Sequence, residues 1–200
     1  MIPRPIVLAT LAAVVFAELV ASAQPPPRAL SEAMRGIFTS QNYTVFDWIS
    51  GRYLKGTLTL QGWVRTRQLK QEAETVARAT AGVDEVVNEI EVLPALSGDD
   101  TVRVRAYVAI YASSALERYG PSGQFTGAGS ADLADSARFG IDAAGLGRGP
   151  HAIHLVVNGA RVLLLGQVRT TGDRRIAEAT LRTLPGVLGV TNQLRVAGQQ

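Results

Sequence analysis

Residues 57–92 read TLTLQGWVRTRQLKQEAETVARATAGVDEVVNEIEV, and residues 161–196 read RVLLLGQVRTTGDRRIAEATLRTLPGVLGVTNQLRV. Offset by 104, the two stretches align without a gap and share 13 of 36 residues. The shared residues include Gly62/Gly166, Val64-Arg65-Thr66/Val168-Arg169-Thr170, Ala73-Glu74/Ala177-Glu178, Gly82-Val83/Gly186-Val187 and Asn88/Asn192. A fixed offset sustained over this length marks two copies of one unit, so each copy checks the reading of the other.

Within a copy, Leu58 to Val64 alternates apolar with other residues, the period of a half-buried strand. Leu69, Ala73, Val76 and Ala77 then recur at spacings of three and four, which places a helix over 68–80. Gly82 stands where helices commonly end on a left-handed residue. Alternation resumes over 83–93, with Val86, Asn88, Ile90 and Val92 on one side. The second copy repeats this as a strand over 161–168, a helix over 173–184 with Asp173 as its cap, and a strand over 187–196. A strand–helix–strand step of this length predicts that the outer two strands run parallel.

Outward from the repeat, strands are expected at 43–53 and 152–157, joined to the next strand by turns at Lys55-Gly56 and Asn158-Gly159. The second of these turns reads as one residue longer than the first. Helices are expected at 30–40 and at 101–119, the latter capped by Asp99 or Asp100. The fold class is thus α+β: two tandem αββαβ modules, each a three-stranded mixed sheet packed against two helices. Their bounds are 24–95 and 96–200. The second carries an insertion at 120–149 with eight glycines and no sustained period, read as a mobile loop.

Residues 1–23 have the parts of a secretory signal: Arg4, an apolar run over 6–17, and Ala21-Ser22-Ala23 before Gln24 and three prolines. The run is too short to span a bilayer, which takes about 20 residues. The expected mature chain is a soluble, periplasmic protein. With no cysteine, disulfide scaffolds, thiolate catalysis and lipid attachment at an N-terminal Cys are excluded. A net charge of +3, with 20 basic residues never running beyond Arg174-Arg175, is not a nucleic-acid footprint. His151 and His154 point to opposite faces of a strand, so no metal site is expected. No nucleophile motif of the Gly-x-Ser-x-Gly kind occurs, and no cofactor is expected.

The repeat resembles the BON module (bacterial OsmY and nodulation). The resemblance rests on residues 56–64, Ala73-Glu74 and residues 81–92, and in the second copy on residues 152–159, 166–168 and 185–196. It implies a non-catalytic module of the bacterial envelope, associated with anionic phospholipid, envelope integrity and osmotic stress. The alternative it leaves open is a protein-interaction or chaperone module for envelope proteins. Absence of a lipidated cysteine is similar to the soluble periplasmic members.

The repeated Gly62, Gly82, Asn88, Gly166, Gly186 and Asn192 are read as structural, because glycine supplies backbone angles and asparagine ties backbone together. Lipid contact is instead expected along 101–119, where Arg103, Arg105 and Arg118 accompany Tyr107 and Tyr111. Guanidinium pairs with phosphate and tyrosine tolerates the headgroup boundary. The competing reading packs Val102, Ala106, Ala109 and Ser113 on the sheet. Phe46, Trp48 and Trp63 are read as core or inter-module contacts.

Overall fold

The order of elements is helix α1 (Arg28–Phe38), strands β1 (Trp48–Leu54) and β2 (Thr57–Val64), helix α2 (Arg67–Arg78) and strand β3 (Glu85–Val92). A second set follows: α3 (Asp99–Tyr111), β4 (Ile153–Asn158), β5 (Arg161–Val168), α4 (Thr171–Arg182), β6 (Gly189–Asn192) and β7 (Arg195–Val196). The computed structural model describes residues 27–120, 147–148 and 151–198. The expected secretory signal lies outside these residues, as does the 120–149 insertion apart from Gly120, Gly147 and Arg148.

Each set is an αββαβ module. In the first, β1 pairs antiparallel with β2, and β2 pairs parallel with β3. In the second, β4 and β5 are antiparallel, and β6 and β7 follow each other along β5 in parallel. The expected strand over 187–196 is therefore broken at Gln193-Leu194, where Asn192 accepts a hydrogen bond from the Leu194 amide through its side chain.

Both helices of a module cover one face of its sheet. Ala33 and Ile37 of α1, with Leu69, Ala73 and Ala77 of α2, pack on Ile49, Leu58, Leu60, Val64, Val86 and Ile90. In the second module, Ala106 and Ile110 of α3 and Ala177 and Leu181 of α4 meet Ile153, Leu155, Val157, Val162 and Leu164. Full burial of one such side chain is worth about 1.5–3 kcal/mol, so a dozen or more per module supply the driving force for folding.

Helix starts differ from expectation in one instructive way. Thr66 and Thr170 are the caps of α2 and α4, accepting from the amides of Leu69 and Asp173. Asp173 stands three residues beyond its cap, and its carboxylate accepts from the Thr170 hydroxyl at 2.8 Å. A carboxylate at that position ordinarily accepts from the cap's backbone amide; here it accepts from the cap's hydroxyl instead. Helix α3 is preceded by left-handed Gly98, not capped by Asp99 or Asp100, and it ends at Tyr111, with a separate 3-10 turn at Glu117–Tyr119.

The two hairpins are the same length. Lys55-Gly56 and Gly159-Ala160 both take left-handed angles, so Asn158 is the last residue of β4, paired with Arg161. The carboxylate of Asp99 accepts from the amides of Gly159 at 3.0 Å and Ala160 at 2.8 Å, which holds the unfavourable Ala160 angle.

Residues 43–47 do not belong to the first sheet. They run along the edge of β4, with the Leu155 amide donating to Val45 O at 2.8 Å and the Val45 amide donating to Gly147 O at 2.9 Å. Val45 and Phe46 thereby enter the core of the second module. The sheet faces turned away from the helices meet each other: Trp48, Trp63 and Leu93 from the first module pack with Val156, Leu163 and Leu165 from the second.

Candidate functional site

Helices α1 and α3 occupy equivalent places at an offset of 73. Ala29, Ala33 and Ile37 match Val102, Ala106 and Ile110: Ala33/Ala106 and Ile37/Ile110 are buried, and Ala29 and Val102 face Gly82 and Gly186, respectively. This register decides where the expected lipid-contact residues lie. Tyr107 and Tyr111 are 1% and 2% exposed, and their rings stand 4.9 Å apart. The Tyr111 hydroxyl donates to Ile153 O, and the Tyr107 hydroxyl lies 3.3 Å from His151 Nε2. Burial pushes the Tyr107 hydroxyl up to about 12 and that of Tyr111 well above its ordinary value.

Arg103 also turns inward. Its guanidinium donates to Asp100 at 2.6 Å and to Val157 O at 3.0 Å, so it braces β4 next to the hairpin that Asp99 holds. These three side chains are thus placed in the interior and not on the lipid-facing surface that the pattern suggested. Arg118 lies on the 3-10 turn, in an ion pair with Asp173, whose other oxygen accepts from the Tyr119 hydroxyl at 2.7 Å. Of the five, Arg105 faces solvent outside such a pair, donating to Pro185 O at 3.0 Å at the loop between α4 and β6.

That loop leads to the most exposed large apolar side chain among the described residues. Leu188 is 72% exposed, and its amide is pinned to Ala160 O at 2.8 Å beside the hairpin turn. Leu96, 44% exposed, reaches within 3.7 Å of the Cβ position at Gly159. Arg105 closes on Gly186 and Arg161 on Gly189. Two exposed leucines and two guanidinium groups therefore share one end of the second module.

The first module supplies a control built from the same backbone. There the Asp84 amide donates to Gly56 O at 2.8 Å, the counterpart of the Leu188 contact. At the matching places stand Asp84 for Leu188, Glu32 for Arg105, Thr57 for Arg161 and Glu85 for Gly189. At these four positions one tip is acidic and polar and the other basic and apolar, although the first hairpin also carries Lys55 and Leu54, the latter 64% exposed. Sequence reasoning passed over this contrast. The signal was present in the aligned loops, Ala-Gly-Val-Asp at 81–84 against Pro-Gly-Val-Leu at 185–188.

The repeated positions occupy matching places in both copies. Gly62 and Gly166 take left-handed angles, and a Cβ there would stand 1.9 Å from Trp48 O and 2.1 Å from Ala152 O. Gly82 and Gly186 are left-handed at the helix-to-strand turn. Asn88 and Asn192 tie the third strand to the second helix of their module. Among the described residues, no three His, Asp or Glu side chains gather as metal ligands, and no helix is long and apolar enough to cross a membrane.

The family model for the BON domain matches residues 50–94 and 131–198, more than half of the chain. No curated protein matches it. Among solved structures, the C-terminal domain of CdsD, a structural protein of the type III secretion system of Chlamydia trachomatis, is 14% identical. That match covers 86% of this chain and 99% of that one, with a TM-score of 0.26. A second CdsD structure is 15% identical over 80% of this chain and 90% of that one, with a TM-score of 0.24. Likenesses this distant carry no argument about function.

Proposed function

Because the chain belongs to the BON domain family, we propose that it is a non-catalytic periplasmic protein that binds anionic phospholipid at the envelope and supports envelope integrity under osmotic stress. The observation that carries the lipid reading is the tip of the second module, where Leu188 and Leu96 are exposed between Arg105 and Arg161. Leucine gains free energy on entering the acyl boundary, and guanidinium pairs with headgroup phosphate.

Magnitudes set the kind of binding. Each arginine near an anionic leaflet contributes about 1 kcal/mol. Leu188 and the half-covered Leu96 together add roughly 3 kcal/mol at the usual value for apolar burial. A total of about 5 kcal/mol corresponds to sub-millimolar affinity, which is reversible and salt-sensitive. Such a module samples the surface and is not anchored to it.

The test is vesicle flotation of the protein with phosphatidylglycerol-containing against purely phosphatidylcholine vesicles, at low and high salt. Flotation with the anionic vesicles alone, lost at high salt, is the expected result. Absence of flotation under every condition removes the lipid reading and moves the weight to envelope proteins as partners.

A further inference from the structure

His154 is one of two histidines in the chain, and it belongs to the second module while its surroundings belong largely to the first. Its imidazole stands 5.6 Å from the Tyr43 ring and 5.2 Å from the Trp48 indole, edge-on to the latter. Its Nδ1 lies 2.7 Å from Asp47 O, a backbone acceptor, so the neutral ring donates there. The same face of β4 carries Val156 into the cluster of Trp48, Trp63, Leu93, Leu163 and Leu165 that joins the two sheets.

We propose that His154 is a proton-operated latch between the two modules, closed while its imidazole is neutral and released when the ring takes a second proton.

The surroundings explain why a charged ring is not accommodated. From the first module, Tyr43 and Trp48 offer aromatic surface. The Asp47 carboxylate is already committed, accepting from the Thr44 amide at 3.1 Å, the Thr44 hydroxyl at 2.6 Å and the Arg65 amide at 2.7 Å. Arg65 itself lies over the Phe46 ring, and its charge acts on Asp47. From β3, the Glu91 carboxylate is engaged by the Trp63 indole N–H at 3.2 Å. From its own module, the cross-strand neighbour is Leu165, and His151 adds repulsion when charged. A buried cation there loses hydration, and the backbone groups of Asp47, His151 and Val45 that favour it do not make up that loss.

The direction of the pH effect follows. Burial, as the largest cause, holds His154 down at about 4, whereas its ordinary value is 6.5. A base held below its ordinary value favours the closed form fully above that value. The advantage is lost as pH falls from 6.5 towards 4, by up to ~300-fold in the closed-to-open ratio. Asp47 works in the opposite sense. Burial raises it, so its protonation in acid steadies the closed form and does not open it. Release bares Trp48, Trp63, Val156, Leu163 and Leu165, an apolar face that the neutral latch keeps covered.

The chain has two tryptophans, Trp48 and Trp63, and both sit in this interface, so its own fluorescence reports the latch. The experiment follows tryptophan emission, far-UV circular dichroism and small-angle scattering of the protein from pH 8 to pH 4. Expected are a red shift and an increased radius of gyration with a midpoint between pH 6.5 and 4, with circular dichroism unchanged. His154→Phe keeps an aromatic ring without a titratable nitrogen and flattens the emission profile, whereas His151→Gln retains the transition. Should His154→Phe fail to fold, the two imidazole proton resonances of the unmodified protein decide: a His154 titration at or above pH 6.5 overturns the latch. So does a red shift that persists in His154→Phe, one that coincides with loss of circular dichroism, or an unmodified protein whose emission does not move down to pH 4.

Discussion

Asn88 and Asn192, 104 positions apart, make the same three hydrogen bonds. Through Nδ2, Asn88 donates to Lys70 O at 3.2 Å and to Glu74 at 3.0 Å, and Asn192 donates to Arg174 O at 2.9 Å and to Glu178 at 3.1 Å. Through Oδ1, they accept from the amides of Ile90 at 3.2 Å and Leu194 at 3.1 Å. Each glutamate is in turn held by an arginine one turn on, Arg78 or Arg182. The relay runs from strand to helix to solvent, and both modules of the chain are built with it.

Removal of this tie destabilises without touching any binding surface. Asn88→Ala deletes the amide and leaves a partly buried glutamate oxygen and the Ile90 amide to find water. A loss of about 1–2 kcal/mol is expected, at the usual cost of such bonds. Asn88→Asp should be worse, because a carboxylate cannot donate and faces Glu74. Urea midpoints of the two variants check the ranking, and an Asp variant as stable as Ala contradicts it.

The glycines separate crowding from backbone strain. Gly62→Ala would force a Cβ to 1.9 Å from Trp48 O, which only a shift of β1 can relieve. Gly98→Ala meets nothing within 4 Å and suffers from its left-handed angle alone. The second change should cost about 1–2 kcal/mol. The first should exceed it by several kcal/mol or abolish folding. Thermal melts of both variants, with Gly166→Ala beside Gly62→Ala, test this.

Strands, helices and their parallel and antiparallel pairing were legible because period and repeat agree, so an ambiguous element in one copy could be settled from the other. Three features escaped. Arg103 and Tyr107 looked like surface because arginine is almost never buried without partners. Asp100 is a local partner of Arg103, but Val157 O and His151, which the two side chains meet in the interior, lie more than 40 residues away and leave no local trace. The segment 43–47 looked like the start of a strand in its own module, yet it pairs with β4 across the interface. Asn-Gly at 158–159 attracted the turn by its usual preference, but Asp99 holds the turn one residue later, on Gly159 and Ala160.

Acid stability has a second centre, separate from His154. Asp173 is held down at about 2, first by the Tyr119 hydroxyl and then by Thr170 and Arg118. A carboxylate depressed in the folded state stabilises fully above its unfolded value near 4, and that contribution is lost as pH falls towards 2. Asp173→Asn should therefore reduce stability at neutral pH and flatten its decline between pH 4 and 2. Denaturation midpoints across that range would show it, and an unchanged slope would remove Asp173 as the source.

Exchange of the two tips tests the lipid surface against an internal standard. Arg105→Glu and Leu188→Asp give the second module the residues that the first carries as Glu32 and Asp84. Both positions are exposed, so folding should change by no more than about 0.5 kcal/mol. Loss of one arginine's attraction, the two repelling carboxylates that are introduced and loss of the leucine together remove about 5 kcal/mol of the binding free energy, at ~1 kcal/mol per charge near the leaflet and ~2 kcal/mol for the leucine. Flotation with anionic vesicles should then fall below detection while the melting temperature holds. The reverse exchange, Glu32→Arg with Asp84→Leu, should add a second docking tip and strengthen flotation beyond that of the unmodified protein. If the unmodified protein floats and the first exchange leaves that intact, lipid is bound elsewhere on the chain. If the reverse exchange adds nothing, Leu96 and Arg161, the latter matched in the first tip by the uncharged Thr57, carry more of the contact than Leu188 and Arg105 do.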